Sequence, residues 1–118
     1  MAFTAPELEI DPEQLVEWLH AGDIELIDVR EPYEWEAGHI EEAIHIPLGQ
    51  LMAGDEKGQL DANRTVIVVC KTGNRSELAA LMLQARGYDA HNLEGGTERW
   101  VTAGLAIVAT DGSPGRVA

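Results

Sequence analysis

The chain is organised around the stretch Thr65-Val-Ile-Val-Val-Cys70-Lys-Thr-Gly-Asn-Arg75-Ser76, which contains its single cysteine. The β-branched run that leads into Cys70 is typical of a buried parallel strand. A glycine-containing turn follows, and a helical pattern opens at Arg75 or Ser76. Cys70 is therefore predicted to lie where a strand ends and a helix begins, a place where unpaired backbone N–H groups converge and favour an anion.

Charge is distributed unevenly along the 118 residues. The formal net charge is −13, with 21 acidic against 8 basic residues, yet the segment 57–76 holds four basic residues and one acid. Binding to nucleic acid or to an anionic membrane depends on clustered Lys and Arg, so the composition argues against both as partners. The local positive charge around Cys70 predicts instead that this loop handles a small anion.

Length and composition predict one globular domain. The chain is 45% hydrophobic and 25% charged, and no apolar run approaches the roughly 20 residues of a membrane span. The start lacks the basic and apolar regions of a secretory signal, and a single cysteine forms no internal disulfide, so we expect a cytoplasmic location. One cysteine and four scattered histidines make a poor metal site, and we expect neither a metal nor a cofactor.

Strands and helices are predicted to alternate through the chain. The periodicity indicates strands at 9–10, 24–29, 43–46, 65–70 and 88–93, helices at 12–21, 31–37, 75–86 and 97–103, and one or two helical turns after Gly49. This alternation predicts an α/β fold with a small, mainly parallel sheet of four to five strands and helices on both faces. We expect residues 1–8 to be a lead-in, residues 9–105 the domain, and residues 106–118 a mobile tail.

Asp28 and Arg30 follow the strand at 24–29, at the edge where open α/β sheets place their ligand sites. Two residues apart, they are close enough to brace one another or the loops beside them. We favour this supporting role over direct participation in chemistry.

Cys70 is the candidate nucleophile. A nucleophilic cysteine must be a thiolate, and a free thiol with a pKa near ~8.5 is mostly protonated at neutral pH. Converging N–H groups, the start of a helix, Lys71 and Arg75 would all favour the charged form. A structural cysteine is the competing interpretation, but such a residue would lie within a strand or helix, away from cations.

The interval between Cys70 and Arg75 holds four residues, Lys-Thr-Gly-Asn. Cysteine phosphatases, whose loop wraps a phosphate, have one residue more in this interval. The shorter loop makes a smaller cradle, which suits one extra sulfur atom on the thiolate better than a phosphoryl group. A cysteine phosphatase or arsenate reductase is therefore the less favoured alternative.

Four motifs, in order, resemble the single-domain rhodaneses, which are sulfurtransferases. The motifs are Asp28-Val29-Arg30-Glu31 with Tyr33-Glu34, Gly38-His39-Ile40 with Ala43, Ile44, Ile46 and Pro47, Cys70 to Ser76, and Gly95-Gly96 with Trp100. Glu41-Glu42 and His45 stand where the family usually has Pro-Gly and Asn. Those positions are peripheral to the cysteine loop, so the departures bear on partner recognition more than on catalysis.

The resemblance implies a rhodanese-like fold and sulfur transfer in two steps. Cys70 would take the outer sulfur of thiosulfate or of a persulfide donor, and a thiol or cyanide would then remove that sulfur from the Cys70 persulfide. The substrate-binding residues implied are Lys71, Thr72, Gly73, Asn74, Arg75 and Ser76, with Asp28 and Arg30 in support. For Arg75, substrate contact and bracing of the loop are both open. The alternative from another class is a sulfur carrier that serves a partner protein in a relay.

Overall fold

Strands and helices alternate along residues 7–118, which are the residues described by the computed structural model. The strands are β1 (Glu9–Ile10), β2 (Ile24–Asp28), β3 (Ile44–His45), β4 (Thr65–Val69) and β5 (Asp89–Leu93), and the helices are α1 (Pro12–Ala21), α2 (Pro32–Ala37), α3 (Leu48–Met52), α4 (Asn74–Ala85) and α5 (Gly96–Thr102). The predicted elements are all present, and their ends differ from the predictions by one or two residues, as helix and strand ends usually do. In this part of the chain no helix is long and apolar enough to cross a membrane.

The strands form one sheet in the order β1-β5-β4-β2-β3, and every pairing is parallel. The central strand β4 pairs with β2 on one side and with β5 on the other. Its run of β-branched residues fits this position because a central parallel strand is buried on both faces. The predicted fold class is confirmed, with five strands and no antiparallel partner among the described elements. The carboxyl ends of β2, β4 and β5 therefore lie along one edge of the sheet.

Two hydrophobic layers cover the two faces of this sheet. One layer joins Val66 and Val68 of β4 to the buried residues of α3 and α4, and it includes Cys70. The other joins Ile67 and Val69 to buried residues of α1 and α5. Successive side chains of a strand point to opposite faces, so β4 supplies both layers. Helices on both faces are thus confirmed, and Cys70 lies on the α4 side.

Both ends of the described segment, residues 7–118, contact the rest of the domain. Residues 1–6 of the predicted lead-in lie outside the described residues, while the carbonyl of Leu8 accepts a hydrogen bond from the N–H of Asn92 at 2.7 Å. At the other end, residues 106–118 return to the segment after α2, where the His39 and Val108 backbones bond reciprocally, each N–H to the other's carbonyl at 2.9 Å. Ile107 is buried. These backbone hydrogen bonds join segments some 70 residues apart in sequence, which local periodicity cannot reveal. How far these residues move stays a prediction.

Candidate active site

Cys70 directly follows β4 and is fully buried. Its Sγ accepts a hydrogen bond from the backbone N–H of Gly73 at 3.1 Å and lies 3.3 Å from the Ser76 hydroxyl oxygen. Gly73 is the N-cap of α4 and has a φ of 101°. Glycine suits this position because an L side chain is strained at such an angle. The cysteine therefore lies at a strand-to-helix junction, and the helix begins at Asn74, one or two residues before the predicted start at Arg75 or Ser76.

Opposing effects act on the thiol of Cys70. Burial raises the pKa of the thiol, because it penalises the charged form. Hydrogen bonds from the Ser76 hydroxyl and from the backbone N–H groups of Ser76, Gly73 and Thr72 lower the pKa, and their combined effect is larger. The net result is a pKa below the ordinary value of a cysteine. The groups that favour the thiolate are thus dipoles of the loop itself.

The start of α5 fixes the direction of the loop peptides. The N–H of Thr97 donates to the carbonyl of Cys70 at 2.8 Å, and the N–H of Glu98 donates to the carbonyl of Lys71 at 3.1 Å. Because the C=O and N–H of a trans peptide point in opposite directions, these bonds turn the next N–H groups toward the interior of the loop. Gly96 permits the close approach, since a Cβ there would lie 2.3 Å from the Cys70 carbonyl oxygen.

Asn92 of β5 supports the same loop from the opposite side. Its Nδ2 donates to the carbonyl of Gly73 at 3.1 Å and to the two carboxylate oxygens of Glu9 at 3.0 and 2.9 Å. Its Oδ1 lies within hydrogen-bond distance of the Ser76 hydroxyl, which also contacts Cys70 Sγ. Sequence reasoning missed both Asn92 and Glu9. The signal that could have found Asn92 is a side-chain amide near the buried carboxyl end of a strand, at the sheet edge where β4 presents Cys70.

Arg75 is turned toward α2. Its Nη1 and Nη2 lie 2.7 and 2.9 Å from the two carboxylate oxygens of Glu34, which is almost fully buried. The hydrogen bond from Arg75 is the main reason that the pKa of Glu34 is lowered. The carboxylate in turn raises the pKa of the Arg75 guanidinium. Of the two roles open to Arg75, this is the geometry of a brace, and its partner is Glu34.

Asp28 and Arg30 contact each other. Arg30 Nη2 lies 2.7 Å from Asp28 Oδ2 and also donates to the carbonyl of Gly38 at 2.6 Å, and both side chains are fully buried. The pair joins the end of β2 to the end of α2. This is the arrangement that a supporting role requires.

Acids from other elements balance the positive charge expected around Cys70. Lys71 Nζ lies 4.0 Å from Glu98 Oε1 at a partly exposed position, and Arg75 is paired with Glu34. A cleft of about 290 Å³ beside the loop is lined by the carboxylate residues Glu9, Glu77 and Glu94, together with Thr72, Gly73, Asn74, Asn92 and Gly95. Capacity for an anion at Cys70 therefore comes from backbone N–H groups more than from cations.

The family comparison agrees with this geometry. A family model described as the Rhodanese-like domain matches residues 11–103. The chain belongs to the rhodanese family.

Named relatives of this rhodanese-family chain include sulfurtransferases. A protein called "Sulfurtransferase" from Allochromatium vinosum is 35% identical over 106 residues, which are 88% of this chain and 97% of that protein. The "Probable adenylyltransferase/sulfurtransferase MoeZ" of Mycobacterium tuberculosis is 40% identical over 77% of this chain, which spans only 24% of MoeZ. Among solved structures, a rhodanese-related protein from Thermoplasma volcanium has a TM-score of 0.76 and 31% identity, covering 86% of this chain and 97% of that one.

Proposed function

We propose that this rhodanese-family protein is a sulfurtransferase that carries a sulfane sulfur on Cys70. The observation that supports this most is the buried sulfur atom with hydrogen-bond donors arranged around it and a lowered thiol pKa. In the first step, the thiolate attacks the outer sulfur of thiosulfate or of a persulfide. A new Sγ–S bond forms while the S–S bond of the donor breaks, and the bonding pair leaves with sulfite or with a thiolate.

In the second step, a thiol or cyanide attacks the terminal sulfur of the Cys70 persulfide. The Sγ–S bond breaks, its electron pair returns to Sγ, and the thiolate is restored. Between the two steps the terminal sulfur carries the negative charge, and the inward N–H groups of the loop from Lys71 to Ser76 would hold it. The cycle requires no cofactor, and its thiol must stay reduced, so we place the protein in a reducing compartment such as the cytoplasm.

The two cations of the loop take different parts in this proposal. Lys71 lies at the partly exposed rim and would contact the sulfite portion of thiosulfate on leaving Glu98. Arg75 stays with Glu34 and keeps α4 fixed against α2. Thr72 and Asn74 are exposed at the tip of the loop and would contact the donor or acceptor there.

The test is incubation with thiosulfate followed by mass measurement of the intact protein. We expect the mass of one added sulfur atom on the wild-type chain and no addition on Cys70→Ser. Cyanide should then release thiocyanate and restore the original mass. If neither the adduct nor thiocyanate forms with thiosulfate or with a small persulfide, the sulfurtransferase proposal is wrong.

The acidic surroundings of the loop favour a second candidate, a sulfur carrier that works with a partner protein. Both loop cations are paired with carboxylates, so a thiosulfate dianion meets less net positive charge than the sequence suggests. Fast persulfide transfer from a cysteine desulfurase, with negligible turnover of thiosulfate, would favour the carrier. Steady turnover of thiosulfate would favour the enzyme.

A phosphatase is the least favoured candidate because the interval from Cys70 to Arg75 is short. The same preparation tests it with p-nitrophenyl phosphate. Hydrolysis that is lost in Cys70→Ser would support phosphatase chemistry. Sulfur loading without hydrolysis would support the sulfurtransferase.

A further inference from the structure

The side-chain amide of Asn92 has one orientation that its neighbours accept. Its Nδ2 faces only acceptors, namely the carboxylate of Glu9 and the carbonyl of Gly73. If the amide were turned over, its oxygen would face a carboxylate and a carbonyl, neither of which can donate. Glu9 and Asn92 are also paired in register between β1 and β5, so their side chains leave the same face of the sheet. Oδ1 is thereby fixed on the side of Ser76.

The hydroxyl of Ser76 lies between two acceptors. Its oxygen contacts Asn92 Oδ1 and is 3.3 Å from Cys70 Sγ. A hydroxyl has one proton to donate, so it serves either the sulfur or the amide oxygen at any moment. Ser76 is fully buried and Asn92 nearly so, and the two acceptors therefore compete with little contribution from bulk water.

We propose that Asn92, oriented by Glu9, is a positioning residue whose Oδ1 accepts the hydrogen bond of the Ser76 hydroxyl whenever negative charge leaves Cys70 Sγ. This rests on the sulfur transfer proposed above. In the free enzyme the hydroxyl donates to the thiolate. Once Sγ has bonded to the incoming sulfur, the charge lies on the terminal sulfur, and Sγ becomes a weak, neutral acceptor. The hydroxyl then turns to Asn92 Oδ1. When the terminal sulfur departs, the electron pair of the broken bond returns to Sγ, and the hydroxyl turns back.

Two opposite consequences follow for the two forms of the enzyme. The persulfide form gains stability from Asn92, since a buried hydroxyl without an acceptor is costly. The thiolate form is stabilised less, because the amide oxygen competes with the thiolate for the hydrogen bond of the Ser76 hydroxyl. The carboxylate of Glu9 strengthens the amide as an acceptor through the shared hydrogen-bond chain. The charged side chains that face this network from the surrounding elements are Glu9, Glu77, Glu94 and the Arg75–Glu34 pair.

The test is a double-mutant cycle read out on the thiol. Because Cys70 is the single cysteine, the pH profile of its alkylation by iodoacetamide reports its ionisation alone. We expect Ser76→Ala to move the midpoint to higher pH, because a donor to the thiolate is lost. We expect Asn92→Leu to move the midpoint to lower pH and to raise the rate below the midpoint about three- to tenfold, because the competing acceptor is lost. In the Ser76→Ala background, Asn92→Leu should have no effect.

A midpoint that rises in Asn92→Leu, or an equal shift with and without Ser76, would overturn the proposal. Glu9→Gln provides a milder variant if Asn92→Leu does not fold, since a glutamine oxygen can still accept from Asn92. We expect Glu9→Gln to lower the midpoint more in the wild-type background than in Ser76→Ala. Equal shifts of the midpoint in both backgrounds would show that Glu9 acts on the thiol only through its charge, which would overturn its role in orienting Asn92.

Sulfur loading provides the second readout. After equilibration with glutathione persulfide, we expect the ratio of persulfide to free thiol in Asn92→Leu to be about three- to tenfold below that of the wild-type chain. An unchanged ratio would contradict the switching of Ser76. The alkylation cycle uses no sulfur donor. If the wild-type chain also takes up no sulfur, the proposed function fails, and the cycle still decides whether Asn92 positions Ser76.

Discussion

At the scale of single residues, the thiol of Cys70 is tuned by hydrogen bonds. Sequence reasoning assigned that task in part to Lys71 and Arg75, because both follow the cysteine closely. In the folded chain each of these cations has a carboxylate partner, while four donors from the loop and from Ser76 face the sulfur. Backbone N–H groups with fixed positions stabilise a thiolate well because they need not rearrange when the charge appears on the sulfur.

The ion pair of Arg75 and Glu34 carries the first prediction, which concerns stability. Its hydrogen bond holds the pKa of Glu34 below the unfolded value of about 4.3. A lowered folded-state pKa gives stability that is present above the unfolded pKa and is lost as the pH falls through the folded one. We expect Glu34→Gln to reduce the free energy of unfolding by about 1–2 kcal/mol at pH 7. The reduction is this small because Arg75 is partly exposed and solvent screens its charge. The difference in unfolding free energy between Glu34→Gln and the wild-type chain should become smaller below about pH 4, because Glu34 itself is then increasingly protonated.

Urea unfolding at neutral and at acid pH measures this difference. The matched control is Glu94→Gln, because Glu94 pairs with Arg99 at 3.3 Å but both side chains are about half exposed. That control should change stability little at either pH. A loss in Glu34→Gln of equal size at both pH values would show that the brace does not depend on its charge.

At the scale of elements, helix α5 gives the cysteine loop its shape. Its first N–H groups have no acceptor within the helix, and those of Thr97 and Glu98 instead donate to the carbonyls of Cys70 and Lys71. In the Gly95-Gly96 motif, Gly96 is the residue that allows α5 to begin in contact with the loop. This motif thus helps to shape the candidate active site.

The second prediction compares two glycine variants at this scale. Gly96 has a φ of +59°, and its Cβ would lie 2.3 Å from the Cys70 carbonyl oxygen, whereas Gly104 has a φ of +86° and open space around it. Alanine should cost about 1–2 kcal/mol at each position because of the backbone angle. Only Gly96→Ala should also displace the loop and reduce sulfur transfer, by more than about tenfold if the reacting atoms shift by an ångström. Equal activity in the two variants would contradict this role of Gly96.

The elements themselves could be predicted from the sequence, because each has a local signature. The run from Thr65 to Val69 indicates a buried strand, and glycines mark the ends of several helices. The contacts that complete the site could not be predicted in this way. Arg75 and Glu34 lie 41 residues apart, and Asn92 and Glu9 lie 83 apart. Their pairing depends on strand order, which periodicity does not reveal.

At the scale of the whole molecule, the return of residues 106–118 to the domain carries the third prediction. Ile107 is 7% exposed and belongs to the hydrophobic layer of α1 and α5. We expect Ile107→Ala to reduce the free energy of unfolding by about 2–3 kcal/mol, as for other large-to-small changes in a core. Val101→Ala is the control, since Val101 is 41% exposed and its truncation should change stability by less than about 0.5 kcal/mol. Chemical denaturation checks both. A negligible effect of Ile107→Ala would support the mobile tail that the sequence suggests.

The electrostatic field around the loop carries the last prediction. The side chains at the loop and its cleft comprise the cations Lys71, Arg75 and Arg99 and the carboxylates Glu9, Glu34, Glu77, Glu94 and Glu98. Negative charge exceeds positive charge locally, and the chain as a whole has a net charge of −13. Such a field attracts cationic reactants, and salt screens it over a Debye length of about 10 Å.

We therefore expect the charge of an acceptor thiol to set the sign of its salt dependence. The kcat/KM for the cationic thiol cysteamine should fall as the salt concentration rises, whereas that for the anionic 3-mercaptopropionate should rise. The quantity to compare is the slope of kcat/KM against salt concentration for each thiol, because the two thiols differ in intrinsic reactivity and their absolute rates are not comparable. Glu77→Gln, which removes one carboxylate from the cleft, should reduce both slopes. A kcat/KM for 3-mercaptopropionate that falls with added salt would contradict this prediction. It would show that the positive charge predicted from the sequence governs access to Cys70, even though Lys71 and Arg75 are paired with carboxylates.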